Sequence, residues 1–497
     1  MPHLEEAADH SFVETPNAAQ GLPRLQERLA RDLLYLELPA RPWVPPQTHD
    51  GQPVCDVVVI GAGMCGLAAT AKLILTGITN IQLIDAAPRG FEGPWDTFAR
   101  METLRSPKTL AGPALGLAPL TFRAWFTAQW GDQAFAALDL IPKSMWMDYL
   151  RWYREVLNLP VQNDTLMTAL RPEGDLIALD LDHQGVTRTV LARHVVLATG
   201  RSGLGGAQVP AFLGGVARKY WAHSADDIDF TALRGKRVAV IGAGASAMDN
   251  AGTALEAGAA QVDMLIRRKD LPRINKMTGI SSQGVVHGMW RAPDAWKWRF
   301  VDYTNRAQTP PPRNSTLRVS RHANARFFLN CGIRAVRQDA DGLRVETTQG
   351  PMRYDFLIAA TGFANDFHGR PEFAAIAPFI RSWGDGRMQP GMTGRSDAMT
   401  SAPDLGPDFE FREKVPGSCP ALAHIHCFND AAMLTHGKVS GDIPAVSVGA
   451  ERLVRGIAAA LFTTDIQHHF ASLEAYDTPV LHGDEWVDST PLLQGAE

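Results

Sequence analysis

The chain has 497 residues, with 48 basic against 53 acidic side chains and a formal net charge of −5. That balance excludes nucleic-acid binding through bulk charge, and 45% apolar residues suffice to bury a core in each of roughly two to four domains at about 100–200 residues per domain. Cys55, Cys65, Cys331, Cys419 and Cys427 are too few and too irregularly spaced for a disulfide framework, and no Cys-x-x-Cys pair exists, which suits a reducing cytoplasm.

MPHLEEAADH carries acids where a signal peptide needs basic and then apolar residues, and the apolar run Val57 to Leu75 is broken by glycines and Lys72. A soluble, cytoplasmic protein without membrane partners is expected. Residues 1–49 read as an arm, with a helix over Leu22 to Leu38 and a Pro-rich linker through Pro42 and Pro45-Pro46. Its LLYLEL stretch is costly to leave wet, so the arm is expected to pack on another domain or subunit.

Val57 to Ala86 and Val238 to Arg267 then share one layout of strand, glycine turn, helix and strand. The strands end at Ile60 and Ile241, and the Ala-rich helices stop at Gly77 and Gly258. Each is a βαβ unit with a right-handed crossover, so the expected fold class is α/β with two Rossmann-like dinucleotide-binding domains. In the first turn Gly61 permits the bend, Gly63 lets backbone approach a pyrophosphate on the helix N-terminus, and Gly66 allows close packing. Gly242, Gly244, Ser246 and Ala247 occupy the matching turn.

The copies differ at the end of the second strand. Asp85 can accept both ribose hydroxyls of an adenosine, which suits FAD or NAD. Arg267 and Arg268 follow Ile266 in the other copy and would attract a 2′-phosphate, which suits NADPH; two surface arginines are the alternative. Two nucleotide folds in one chain imply a donor and a resident acceptor, hence a flavoprotein oxidoreductase.

Farther along, Leu120 to Gly131 and Val285 to Tyr303 are aromatic-rich and can serve as water-excluding lids or as core. LPRINK places Arg273, Asn275 and Lys276 just after the arginine pair, where they can bind oxygen or a nicotinamide amide or form a solvated basic turn. Segment 305–315 reads as a Pro-rich loop, and Arg381 to Arg412 as an irregular excursion lining a substrate entrance. Pro420 to Asp442 brings Asn429 and His436 toward a helix for which Asp442 is the expected N-cap and Pro444 a first-turn residue. The histidines show no metal-ligand spacing, so no metal is expected.

DVVVIGAGMCG, EGPW, VVLATGR, AHS ahead of GKRVAVIGAGASAMD, and LIAATGF together make the chain resemble the two-dinucleotide-binding flavoproteins. Within them it resembles the NADPH-dependent flavin monooxygenases that include Baeyer–Villiger enzymes, flavin-containing monooxygenases and amine N-hydroxylases. Phe212, Gly214 and His223 give a degenerate F-x-G-x-x-x-H fingerprint. The resemblance implies an FAD domain over 50–205 and 366–497, the latter with substrate-side loops, and an NADPH domain over 206–365. It places Trp95, Thr199, Gly200, Thr361 and Gly362 beside the cofactors and Gly441 with Asp442 on the flavin's ribityl side.

METLRSP and IPKSMWMDYLRWY look more like the N-hydroxylases, which puts Arg105 near flavin or nicotinamide and makes Tyr149 and Trp152 packing residues. Ala99 stands where the ornithine and lysine hydroxylases carry a lysine, so those amino acids do not carry over as substrates. The implied activity is insertion of one oxygen atom of O2 into a small molecule through a flavin C4a-hydroperoxide, first at nitrogen. Baeyer–Villiger oxygenation, electron delivery to a partner protein and NADPH sensing are the alternatives. The resemblance and the apolar arm together suggest a homodimer.

Overall fold

The computed structural model describes residues 18–387, 392 and 397–492. Strand Gln52–Ile60 is buried from Val54 onward, as a parallel strand covered on both faces must be. It pairs in parallel with Ile81–Ile84 and with Val186–Leu197, placing Val58 opposite Gln82 and Val195. Val161–Gln162 extends one edge, and Leu176–His183 with Thr165–Glu173 extends the other in antiparallel fashion. Gln47–His49 and Ile425–His426 complete this eight-stranded sheet, the latter pairing in parallel with Val186–Leu197 although it lies far along the chain.

A second, fully parallel sheet has the order Ala325–Phe328, Gln261–Leu265, Arg237–Ile241, Phe356–Ala359, Trp221–His223. Helix Ala245–Glu256 makes its crossover, and an antiparallel unit of Ile333–Asp339, Gly342–Thr347 and Gly350–Tyr354 shares a core with it through Tyr354, Leu343 and Leu357. The chain passes between the two sheets along a ribbon in which Gly205–Ala207 pairs with Phe363–Asn365. A side chain on Gly205 would lie 1.9 Å from the Ala364 carbonyl oxygen, so the ribbon closes only on glycine.

Arg193 ties the chain's end to the first sheet. It is 5% exposed and donates to both carboxylate oxygens of Asp465 at 2.8 and 3.0 Å, where the final helix Ile466–Glu474 begins. Beside it lie His194, His424 and His426, whose pKa values are all lowered, chiefly by burial.

Several expectations change. The arm helix runs Ala18–Tyr35 rather than Leu22–Leu38, because the chain turns at Glu37, whose φ is +53°, and Leu38 precedes a proline. It does pack on another element, lying so close to helix Phe122–Ala137 that a side chain on Gly21 would meet the Ala128 carbonyl. Leu34, Tyr35 and Leu36 nevertheless face water. Leu120 to Gly131 takes the core alternative: Phe122 is buried against Trp146 and Tyr149 of helix Lys143–Val156, Trp125 against Tyr149, and Phe126 against Phe122. Within 305–315, Asp294–Ala307 stays helical to Ala307 and a new helix starts at Arg313 straight after the prolines, whose fixed φ suits a helix start.

Candidate functional site

The first glycine turn leaves its helix open to a ligand. Gly61 has φ +98°, and a side chain there would stand 2.6 Å from the Ala198 carbonyl oxygen. Gly63 begins helix Met64–Leu75 with no side-chain cap, so the N-terminal N–H groups remain available to a phosphate. Gly66 sits so tightly under the turn that a side chain would fall 1.7 Å from the Gly61 carbonyl oxygen.

Asp85 closes the second strand by accepting from the Ala62 N–H at 2.7 Å and the Ala87 N–H at 2.8 Å. One carboxylate oxygen thus braces the glycine turn through Ala62, while the other holds the chain just after the strand through Ala87. A cavity of about 310 Å³ opens beside it, lined by Ala62, Gly90, Glu92, Arg151 and Arg154. Arg154 donates to Glu92 at 2.7 Å, and Arg151 donates to the Gly90 carbonyl at 2.6 Å and to Asp96 at 2.7 Å. Trp95, half-buried, meets Trp146 edge-on at 6.4 Å. Lys143 donates from its ammonium to the Trp95 and Ala99 carbonyls, so a cation reaches Ala99 from another helix.

The second turn repeats the geometry. Gly242 has φ +125° and its Cα faces the Ala360 carbonyl, which a side chain would meet at 2.7 Å. Gly244 starts helix Ala245–Glu256 without a side-chain cap, Ser246 is exposed and Ala247 is buried under the turn. At the end of strand Gln261–Leu265, Arg267 is exposed and Arg268 is half-buried, donating to the Arg306 carbonyl at 3.2 Å.

The passages between sheets carry their own contacts. Thr199 accepts from the Asn429 side-chain amide at 3.2 Å, and Gly200 is exposed with φ +70°. Thr361 donates to the Gln208 carbonyl, and the Gly362 carbonyl lies 3.0 Å from Nε2 of the buried His223. The degenerate fingerprint histidine, at the end of an edge strand of the second sheet, therefore meets the chain just before it enters the ribbon.

Arg105 stands where the two halves meet. Its guanidinium is 3.4 Å from Asp249, a buried carboxylate on helix Ala245–Glu256. Burial and Arg201 lower the Arg105 affinity for its proton, while Asp249 and Asp442 raise it. Asp442 does not cap a helix with its side chain. It precedes the short turn Ile443–Ala445 that leads into helix Val446–Thr464, and its carboxylate pairs with Lys438 at 3.3 Å. Gly441 is exposed beside Asp430.

Other expected residues are not brought to this seam. His436 has no exposed surface, stacks on Phe409 at 3.9 Å, approaches the Gly406 carbonyl at 2.9 Å with Nε2 and the Arg452 guanidinium at 3.2 Å with Nδ1. Burial and Arg452 hold its pKa down to about 3, so it is a neutral packing group rather than a proton carrier. Asn275 and Lys276 are exposed at the start of the short helical turn Lys276–Ile280, and among the described residues their side chains hydrogen-bond nothing. Val285 to Tyr303 packs on the excursion: Trp298 lies 6.3 Å from Trp383, and Arg387 bridges Asp294 to Asp404.

At the seam Arg318 belongs to no quoted motif, and Arg201 and Asp249 end the stretches VVLATGR and GKRVAVIGAGASAMD with no role assigned to them there. The available signal was an acid within the otherwise small-residue run GASAMDN, on a helix face that must be buried. Thiol chemistry finds no support: all five cysteines are unpaired, and Cys65 donates to the Ser440 carbonyl with its pKa raised by burial to about 12.

Residues 58–283 match the family model described as pyridine nucleotide-disulphide oxidoreductase. The chain is 38% identical over 472 residues to the FAD-dependent urate hydroxylase of Xanthomonas campestris pv. campestris, covering 95% of this chain and 99% of that one. Among solved structures, ornithine hydroxylase from Pseudomonas aeruginosa superposes with a TM-score of 0.65 at 14% identity, over 82% of this chain and 100% of that one. The FAD-bound cadaverine monooxygenase of Erwinia amylovora gives 0.62 at 18% identity, over 82% and 95%. At such identities these structures speak to the fold. Among the described residues no helix is long and apolar enough to cross a membrane.

Proposed function

The chain belongs to the class B flavin-dependent monooxygenases, and from that premise we propose that it holds FAD on the first glycine turn, takes NADPH on the second, and hydroxylates a small, flat, nitrogen-rich oxopurine of which urate is the first candidate. The observation that carries the substrate class is the 38% identity to a urate hydroxylase along nearly the whole of both chains, against 14% and 18% for the two amine hydroxylases. Bound together, the two coenzymes supply the electrons by which one oxygen atom of O2 enters the substrate and the other leaves as water.

This chain's residues supply the rest. Gly61, Gly63 and the open helix N-terminus receive the FAD pyrophosphate, with Asp85 bracing the turn toward the ribose. Gly242 and Gly244 do the same for NADPH, and Arg267 with Arg268 meets the 2′-phosphate. Gly441 and Asp442 lie on the flavin side of the seam. Arg105 presents guanidinium donors there, a suitable partner for a planar substrate bearing carbonyl oxygens and a negative charge. Val285–Tyr303, clamped by Arg387 to the excursion, keeps water from the seam. Amine N-hydroxylation is the second reading, favoured by the shared fold of the ornithine and cadaverine enzymes.

The test supplies NADPH and isotopically labelled O2 with urate, ornithine or cadaverine to the yellow protein. The expected result is one labelled oxygen in a urate product, with one NADPH consumed per turnover. Label appearing in the amines instead supports the second reading, and hydrogen peroxide as sole product with every substrate contradicts both.

A further inference from the structure

Helices Phe122–Ala137 and Lys143–Val156 pack on each other through aromatic rings that no motif explains. Trp146 has no exposed surface, and Trp125 and Trp152 are 4% and 7% exposed. Among the described residues, the Nε1–H of each of these indoles finds no hydrogen-bond acceptor. A buried indole ordinarily finds one, and an N–H taken from water without a partner costs stability that a phenylalanine ring in the same core would not. Such costs repeated within one cluster mark a property of indole other than packing, and the one that phenylalanine lacks is ready loss of an electron.

The rings form a continuous path. Trp95 meets Trp146 at 6.4 Å between ring centroids, Trp146 meets Tyr149 at 4.9 Å, Tyr149 meets Trp125 at 5.9 Å, and Trp125 meets Trp130 at 5.5 Å. Phe122 gives a parallel bridge, 5.9 Å from Trp146 and 5.6 Å from Trp125. Trp130 is half-buried, so the path ends where solvent reaches. Its other end lies at the first glycine turn. A side chain on Gly93, two residues before Trp95, would stand 3.7 Å from the Gly63 Cα, and Met147, next to Trp146, lines the cavity beside that turn. A side chain on Gly112 would stand 3.2 Å from the Trp146 ring and 3.7 Å from Ile443, the residue after Asp442.

Hydrogen bonding decides which rings carry charge. An oxidised indole with no acceptor at Nε1 keeps its proton and is refilled by its neighbour. Tyr149 and Tyr153 donate to the Leu120 and Pro113 carbonyls at 2.6 and 2.8 Å, and burial pushes both phenols up, so neither has a base for the proton its oxidation would release. Tyr149 and Phe122 therefore serve as bridges and the indoles as stations. We propose that Trp95, Trp146, Trp125 and Trp130 form a one-electron conduit between FAD and the surface. The conduit gives the protein a second way to reduce its flavin, driven by light and a thiol in place of NADPH. Trp95 gives an electron to light-excited FAD, each station is refilled by the next, and Trp130 is refilled by a thiol in solution, whose proton goes to the flavin. Two such rounds turn FAD into FADH2 and join two thiols as a disulfide. This rests on the FAD half of the reading above.

The experiment illuminates the yellow protein with blue light, without oxygen or NADPH and with dithiothreitol as the thiol, and follows the visible flavin absorbance. Wild type is expected to bleach, preceded by the transient absorbance of an oxidised indole. Trp125→Phe and Trp130→Phe are each expected to slow bleaching about 10-fold. Reduction by NADPH in the dark stays within about 2-fold of wild type in both. Should Trp125→Phe fail to fold, Trp130→Phe at its half-buried site reads the same rate. Bleaching as fast in the variants as in wild type, or a wild type that stays yellow in the light, overturns the proposal alone. So does an equal loss in the dark reaction, which reports a disturbed flavin site. Wild-type protein that takes up no FAD overturns the FAD reading and the proposal with it.

Discussion

Gly66→Ala yields protein that is purified without flavin colour and does not recover it when FAD is added. The new methyl would stand 1.7 Å from the Gly61 carbonyl oxygen and 2.9 Å from its carbonyl carbon, and neither atom belongs to a flexible side chain. Relief requires the turn to move, yet Gly61 is itself fixed at φ +98° against the Ala198 carbonyl. Overpacking of this kind costs about 1–3 kcal/mol even where neighbours can yield. Here the displaced atoms are the ones that face the pyrophosphate, so the upper end of that range applies, about 100-fold in FAD affinity at 1.4 kcal/mol per tenfold. The ratio of visible to ultraviolet absorbance of the purified variant reads the effect. Gly206→Ala, where the new methyl meets open space, is the control that keeps its colour. A yellow Gly66→Ala protein would show that FAD sits elsewhere.

Arg267→Ala combined with Arg268→Ala lowers kcat/KM for NADPH by about 100-fold and leaves the value for NADH within about 2-fold. The reason is the loss of charge-assisted hydrogen bonds to a group that only NADPH carries, each worth about 1.5–3 kcal/mol. Arg267 is exposed with no ion-pair partner among the described residues, and Arg268 gives one bond to the Arg306 carbonyl, so both are free to turn toward a phosphate. Steady-state rates with the two coenzymes, at one ionic strength because such contacts are screened by salt, provide the check. Equal losses with both would assign the arginines to general surface charge.

What could be read from the residues and what could not divides along physical lines. A glycine turn announces itself because a backbone at φ +98° or +125° excludes nearly every other residue, and the strand before it must be apolar to be buried on both faces. The parallel strands at the centre of both sheets follow from these local facts. Asp442 was legible in position but not in its bonding: it holds the N-cap position ahead of Ile443–Ala445 with Pro444 in the first turn, while Lys438, one turn earlier, pairs with the carboxylate. His436 looked like a group leading into the flavin helix, yet sequence distance carries no information on burial, and Phe409 with Arg452 encloses it. The seam was the least legible part. Arg105, Asp249 and the helix carrying Asn314 and Arg318 come from three stretches far apart along the chain, and only the packing of two sheets on a shared ribbon brings them together.

The chain stands or falls on holding two coenzymes at once, the resident one within hydride reach of the visiting one. Adding NADPH to the purified yellow protein without oxygen tests this most directly. The account predicts that the visible flavin absorbance bleaches with one equivalent of NADPH, and much faster than with NADH. Absorbance that stays untouched by either coenzyme would contradict it.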